Sequence, residues 1–403
     1  MKSVDTHLQQ VLATVAPLRE LELRLLEAHG CVLAEDVVAE RPVPVADTAA
    51  ADGYAVRAND VATATPETPA TLHVAGDGAA GRTPEFTVQP GMCARVVAGA
   101  AIPNGADAVV PAAWTDSGVA QVRVARAVPT GSLIRATGED VAAGTRVLAQ
   151  DTVVGAAQVG LLVAAGRRNV LVRPKPRVVV VSVGSELVDA GRDVAPGQSA
   201  DAAGFAICAA VREAGAIAFH AGIVPDDPKP LMSLLEDHLI QADLVVIAGG
   251  LRSGGYDAVR DVLAKIGGAS FDEVAMHPGG TTAFGVIGTE AVPVFALPGD
   301  AVAALVSFEV FVRPALRRML GAETLGRPHV SAVTVQPFTS PEGRRHFVRV
   351  KVERSADRWV VTPAGDSLTG LAGTNGLAIV PEDVTEVAAG TPLLTWLLER
   401  RGI

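Results

Sequence analysis

Between residues 177 and 300 the chain alternates short, unbroken apolar runs with longer segments of helical spacing, four times over. The runs at 178–183, 216–222, 244–248 and 292–297 are rich in Val, Ile and Ala. They give way to Gly184-Ser185-Glu186-Leu187, Asp226-Asp227-Pro228, Gly249-Gly250 and Pro298-Gly299-Asp300. Helices are expected at 201–213, from 226 to about 240, and after 300 to about 320, with Asp226 the expected N-cap of the second. Continuous apolar strands separated by helices predict a parallel sheet covered on both faces. Ligands of such sheets sit beyond the carboxyl ends of the strands, where helix N-termini favour an anion. A phosphate-bearing ligand is one reading of these glycines and acids; tight strand-to-helix turns are the other.

Before this region, Ser3 is placed to cap a helix with Leu8, Val11, Leu12 and Val15 on one face, and Pro17 stops it. Leu21, Leu25 and Leu26 predict a second helix closed by Gly30. From 59 to 135, short β-type runs at 71–74, 93–97, 108–110 and 121–124 are broken by Gly, Pro and Asp, as in a small inserted β domain. A helical stretch at 156–166 and a stiff connector at 173–176 lead into the parallel-sheet region. After 326 the pattern is β again, at 330–336, 346–353, 359–362 and 377–380. The expected fold class is α/β plus β and multidomain: a doubly wound parallel-sheet subdomain at 173–326, an inserted β subdomain at 48–135, a C-terminal β-barrel-like subdomain at 327–403, and a helical and linker subdomain from 1–47 and 136–172.

Composition narrows the function. At 403 residues, 49% hydrophobic and 19% charged, the chain is globular and too long for one core. A net charge of -10 and 4% aromatic residues argue against a nucleic-acid partner. The three cysteines, Cys31, Cys93 and Cys208, are far apart, which gives neither a disulfide framework nor a zinc site; buried thiols are expected. No signal peptide is read and the longest apolar run, near 153–165, is too short to span a membrane, so no membrane insertion and a cytoplasmic location are expected.

The motifs in order carry a resemblance. They are 27–36 (Glu-Ala-His-Gly-Cys-Val-Leu-Ala-Glu-Asp), Asp52-Gly53-Tyr54-Ala55, Ile102-Pro103-Asn104-Gly105-Ala106-Asp107, Gly138-Glu139-Asp140, Gly184-Ser185-Glu186, Asp226-Asp227-Pro228, Gly249-Gly250, Leu297-Pro298-Gly299, Gly343-Arg344-Arg345-His346-Phe347 and Asn375-Gly376-Leu377. Over essentially its whole length the chain resembles the molybdopterin molybdenumtransferases, the family that includes the E domain of gephyrin. The resemblance implies an elongated homodimer whose parallel-sheet subdomain holds the pterin. Such enzymes take adenylylated molybdopterin, insert molybdate into its dithiolene and release AMP with help from Mg²⁺, at a site completed by the partner chain's inserted β domain.

Carried onto this sequence, the resemblance assigns catalytic acids Asp52, Asp140, Glu186, Asp226 and Asp257, with Asp226 and Asp257 on the metal. It assigns ligand contacts to Gly184, Ser185, Gly249, Gly250, Arg252, Ser253, His277, Pro298, Gly299 and Asp300. The chain departs from the family where cations are expected: His277 and Gly280 stand at the two lysines of a Lys-Pro-Gly-Lys-Pro motif, and Glu273 at another lysine position. Losing two charge-assisted contacts weakens phosphate binding by roughly two to four powers of ten, with Arg252 as partial replacement. Glu273 and Asp300 are expected to add repulsion if they face the ligand. Two functional readings follow. One is the molybdenumtransferase. The other is a catalytically weakened, gephyrin-like dimeric scaffold that holds a short peptide of a cytoskeletal or membrane-associated partner, as in cell division, in a groove with Phe338, Pro341, Phe347 and Pro381.

Overall fold

The structure, a computed structural model, describes residues 1–82, 85–251, 257–365 and 367–398. The chain separates into two units, Met1–Leu21 with Gly30–Ala34 and Val172–Ile403, and Glu22–His29 with Glu35–Leu171.

The first unit is built on a six-stranded sheet in the order Ile217–Val224, Arg177–Val183, Leu244–Gly249, Val292–Leu297, Thr281–Ile287, Gly267–Glu273. The first four strands are parallel neighbours. The last two, which the apolar pattern did not indicate, form an antiparallel extension. Val178, Val180, Leu244 and Val246 point into one core with the helices Ala202–Glu213 and Ala301–Ser307. Val179, Val181, Val245 and Ile247 point into the other, with the helices Pro228–Leu239 and Ala258–Ile266. Burial on both faces explains why these strands read as continuous apolar runs rather than alternating ones.

The helix expected after residue 300 is interrupted. Ala301–Ser307 and Arg313–Met319 are α-helical, and Phe308–Val312 between them is a π turn. Pro314 has no N–H to give to residue 310, which removes one ladder bond at the junction. The N-terminal helix Val4–Thr14 is capped by Ser3, whose side chain accepts from Thr6 N, as expected. It packs Val4, Val11 and His7 inward, so the buried face includes a histidine.

The C-terminal strands close into a ring: Arg345–Ser355, Arg358–Pro363, His329–Thr334, Pro392–Leu397, Gly376–Val380 and back to Arg345–Ser355. The short strand Met276–His277 joins this barrel in parallel with Arg345–Ser355. Phe347 is 1% exposed and its ring lies 5.6 Å from that of Trp396. It is a core residue, which corrects its assignment to a peptide groove. Phe338 is likewise packed on the barrel core, whereas Pro341 is half-buried and Pro381 exposed.

The second unit holds a five-stranded sheet in the order Ala108–Pro111, Gly53–Val56, Met92–Val96, Ala70–Gly78, Gln121–Val124. Its core contains Tyr54, Leu72, Cys93, Val110 and Val122. The helix expected over 21–26 is instead the strand Leu21–Arg24 followed by a turn. Leu-Glu-Leu-Arg alternates with the period of a strand, and Leu26 is 83% exposed, so the helical spacing of 21, 25 and 26 had no face to bury. All three cysteines are buried thiols, and burial pushes Cys93 up to about 12. Among the described residues no helix is long and apolar enough to cross a membrane.

Candidate functional site

Every helix that follows a strand of the parallel sheet begins on an aspartate. Asp201 accepts from Gly204 N, Asp227 from Lys229 N, Asp257 from Arg260 N and Asp300 from Ala303 N. Each carboxylate thus satisfies an otherwise orphaned N–H and sits at the positive end of its helix. This changes two expectations. The cap of the helix Pro228–Leu239 is Asp227, not Asp226. The helix N-termini already carry their own anions, so they are not open anion sites.

Beyond the carboxyl ends of the strands lies a cavity of about 690 Å³. Its lining includes Gly184, Glu186, Asp201, Asp226, Gly249, Gly250, Gly280, Thr281, Pro298, Gly299, Asp300 and Leu368. The floor is glycine for steric reasons. Gly249 has φ +93°, and a Cβ there would stand 2.3 Å from Val183 O. Gly249 and Gly299 pack back to back, with 3.3 Å from the Cβ position of Gly299 to the Cα of Gly249.

Asp226 is fixed from the neighbouring strand end. Ser185 N donates to its carboxylate at 3.2 Å, and Asp226 N donates to Ser185 Oγ at 3.1 Å. Asp201 is buried, with one oxygen on Gly204 N and the other 3.0 Å from His220 Nε2. Glu186, Asp201, Asp226 and Asp300 give the cavity four carboxylates, and among the described lining residues none is Lys, Arg or His.

The other assigned residues fall elsewhere. Asp257 is not among the lining residues; its oxygens take Arg260 N at 3.0 Å and Arg260 Nε at 3.3 Å. The imidazole of His277 lies 4.9 Å from that of His346, on the pairing with the barrel. Glu273 is paired with Arg344 at 2.8 Å and its side chain is 57% exposed, so it does not bring the repulsion expected of it. Asp52 and Asp140 belong to the second unit. There Asp52 accepts from Ala98 N, and Asp140 is ion-paired with Arg135. Arg252 and Ser253 lie outside the described residues.

Sequence reasoning did not select Asp201, Thr281 or Leu368 as site residues. The first had a legible signal, an acid directly before a helix. Leu368 had none, because it comes from the helix Leu368–Ala372 of the C-terminal region.

Three family models match this chain in order: MoeA N-terminal region (domain I and II) over residues 2–166, Probable molybdopterin binding domain over 179–318, and MoeA C-terminal region (domain IV) over 331–398. Molybdopterin molybdenumtransferase 2 of Mycobacterium tuberculosis (strain ATCC 25618 / H37Rv) is 42% identical over 98% of this chain and 99% of its own length. The chain belongs to the molybdopterin molybdenumtransferase family. A more distant member of that family, from Nostoc sp. (strain PCC 7120 / SAG 25.82 / UTEX 2576), is 33% identical over 92% of this chain and 87% of its own. The crystal structure of the molybdopterin biosynthesis moea protein from Pyrococcus horikosii matches with TM-score 0.79 and 30% identity, covering 98% of this chain and 99% of that one. The cavity lies within the span of the family's molybdopterin-binding model, except for Leu368.

Proposed function

We propose that this chain acts in molybdenum cofactor biosynthesis, inserting molybdate into adenylylated molybdopterin with release of AMP. The observation that carries the reading is the cavity at the strand ends, inside the molybdopterin-binding span of a chain of this family. Its volume is within the ordinary range for a small-molecule site.

The residues divide the work. The glycine floor at Gly249, Gly250 and Gly299 lets a flat ring system and its phosphates approach backbone closely. Asp226, locked by Ser185, and Glu186 hold hard oxygen donors over it. An oxygen-only donor set suits Mg²⁺ rather than zinc. Among the described residues no three His, Cys, Asp or Glu converge on one point. The ion would be completed by water and substrate phosphate, as Mg²⁺ commonly is. When bound it would neutralise phosphate charge; Asp226 is the proposed ligand. Asp257, the second proposed ligand, would first have to release Arg260. Homodimer formation, and catalytic roles for Asp52 and Asp140 of the second unit, belong to the same proposal. The peptide-scaffold reading loses Phe347 to the core.

The test is rescue. Expressed in a bacterium lacking its own molybdenumtransferase, at ordinary molybdate, the chain restores molybdoenzyme activity and Asp226→Ala does not. A soluble, folded protein without rescue would refute the proposal.

A further inference from the structure

The helix Ala202–Glu213 meets the sheet at close range in its first turn, Ala202-Ala203-Gly204. A Cβ built on Gly204 would stand 2.2 Å from Ser182 Oγ, 2.6 Å from Asp201 Oδ2 and 2.9 Å from His220 Nε2. No side chain fits there, and three polar groups from three elements face one point. Ser182 comes from the strand Arg177–Val183, Asp201 from the helix cap and His220 from the outer strand Ile217–Val224. The same face of the sheet is otherwise apolar, with Val178 and Val180 in its core.

The backbone brings His220 to this point. It lies opposite Val180 in the parallel pairing and so shares the helix-covered face with Ser182, two residues on. The register then slips, with Val181 opposite Gly222 and Gly222 at φ +107°. Such a bulge re-aims the side chains beside it. His220 Nε2 stands 3.0 Å from Asp201 Oδ2, while Asp201 Oδ1 takes Gly204 N at 2.8 Å. Asp201 is 3% exposed and lines the cavity; His220 does not line it, and so touches the ligand space only through Asp201. The His220 side chain is 20% exposed, with the Phe205 ring 4.9 Å from its own. Ser182 Oγ is buried and has no hydrogen-bond partner among the described residues. A buried hydroxyl of that kind is rare in a packed core.

Among the described residues, the charged group that faces the imidazole is Asp201. The strand Ile217–Val224 carries no charge besides His220 itself. The helix Ala202–Glu213 has Arg212 and Glu213 at its far end, and Arg177, at the start of the neighbouring strand, is paired with Asp243. The helix Pro228–Leu239 covers the opposite face, where its His238 meets Phe219.

We propose that His220 is a positioning residue of the cavity: it holds the Asp201 carboxylate by a hydrogen bond and, on taking up a proton, offsets that carboxylate's charge, so that anion binding strengthens as the pH falls. A carboxylate only accepts, so neutral His220 carries its hydrogen on Nε2 and takes the second proton on Nδ1. Histidine is the side chain whose ordinary charge change lies near neutrality. With His220 neutral, an anion faces Glu186, Asp201, Asp226 and Asp300; with it protonated, Asp201 is half of an ion pair. The inference deepens the transferase reading and takes its ligand from it, but the linkage is measured without turnover.

The experiment is equilibrium binding of dilute molybdate, which stays a dianion in this range, to the full chain at about pH 5.5 and about pH 8, for wild type, His220→Gln and His238→Gln. Glutamine can still donate to Asp201 but cannot take up a proton. Wild type is expected to bind about threefold to tenfold tighter at the lower pH. His220→Gln should give one affinity at both, and His238→Gln, the same change on the other face, the wild-type ratio. The wild-type ratio in His220→Gln overturns the proposal. So does a ratio of one in wild type, a ratio lost in His238→Gln as well, or no binding by wild type. Should His220→Gln fail to fold, reciprocity supplies a measurement on wild type alone: the titration midpoint of the His220 imidazole, followed by NMR, must rise when molybdate is added. A midpoint that does not move overturns the proposal. Affinity that depends on pH through His220, without transferase turnover, would uphold this inference and reject the functional reading.

Discussion

Ser185 and Asp226 exchange hydrogen bonds across the ends of two neighbouring parallel strands. Ser185 N reaches the Asp226 carboxylate at 3.2 Å and Asp226 N reaches Ser185 Oγ at 3.1 Å. The pair aims a cavity carboxylate without using it as a helix cap, because the adjacent Asp227 takes that role.

The first prediction concerns this pair. Asp226→Ala lowers transferase turnover by about a hundredfold or more, the scale of losing one preorganised charged group. Ser185→Ala keeps the carboxylate but loosens it, at a cost of about tenfold. Steady-state assays with adenylylated molybdopterin and molybdate check both. A larger defect in Ser185→Ala than in Asp226→Ala would show that Asp226 does not act at the site.

Asp300 gives a prediction of opposite sign. Its side chain accepts from Ala303 N at 2.9 Å, a bond that asparagine can also make. Asp300→Asn should leave the melting temperature unchanged while removing one negative charge from the cavity. At roughly 4 Å in water a charge is worth about 1 kcal/mol, so pyrophosphate affinity should rise about fivefold. Calorimetric titration measures this, and a fall in affinity would mean that Asp300 contacts the ligand favourably.

His7 predicts an acid-sensitive fold. Its imidazole is 0% exposed, packed 4.7 Å from the Phe311 ring and 3.6 Å from Asp272. Burial, then the positive charge of Lys2, holds it down to about 4 from an ordinary value of 6.5, against the pull of Asp272. The unfolded chain takes up a proton near pH 6.5 that the folded chain refuses until about 4. Stability from this residue is therefore complete above pH 6.5 and is lost as the pH falls towards 4, by about 3 kcal/mol. Urea unfolding at pH 7 and pH 4.5 should show a smaller drop for His7→Leu than for wild type.

The pair Glu309 and Arg327 predicts a stability defect with no catalytic origin. The carboxylate takes both Arg327 Nε at 2.8 Å and Nη2 at 2.7 Å, and both side chains are below 10% exposed, at 9% and 8%. Glu309→Ala leaves Arg327 and the nearby Arg313 buried without this partner and should cost about 3–5 kcal/mol. The midpoint of urea unfolding is the measurement. A change under about 1 kcal/mol would place the pair in the class of weak surface bridges.

The sequence by itself determined the strand ends. Unbroken Val and Ile runs can be buried on both faces only in a sheet covered on both sides, and Gly or Asp after each run left little choice for the turn that follows. On that ground alone Gly249, Gly250 and Gly299 read equally as tight turns or as the edge of a ligand site; it was the family resemblance that assigned them to the ligand. The family resemblance was legible because its motifs sit at such turns, in order.

Tertiary structure decided where the charges point. Four aspartates look alike in sequence, yet Asp227 and Asp257 spend their carboxylates on helix caps outside the cavity lining, while Asp201 and Asp300 cap helices and also line it. Glu273 read as a repulsive charge and is a partner of Arg344. Arg344 itself, 64 positions from Gly280, comes within 3.2 Å of where a Cβ at 280 would stand, beside the register in which the short strand Met276–His277 pairs with the long strand Arg345–Ser355. A one-dimensional pattern records which residues can bury or turn, since those are local constraints. Which carboxylate meets which guanidinium depends on contacts made far along the chain, where a register set by backbone hydrogen bonds chooses the neighbours.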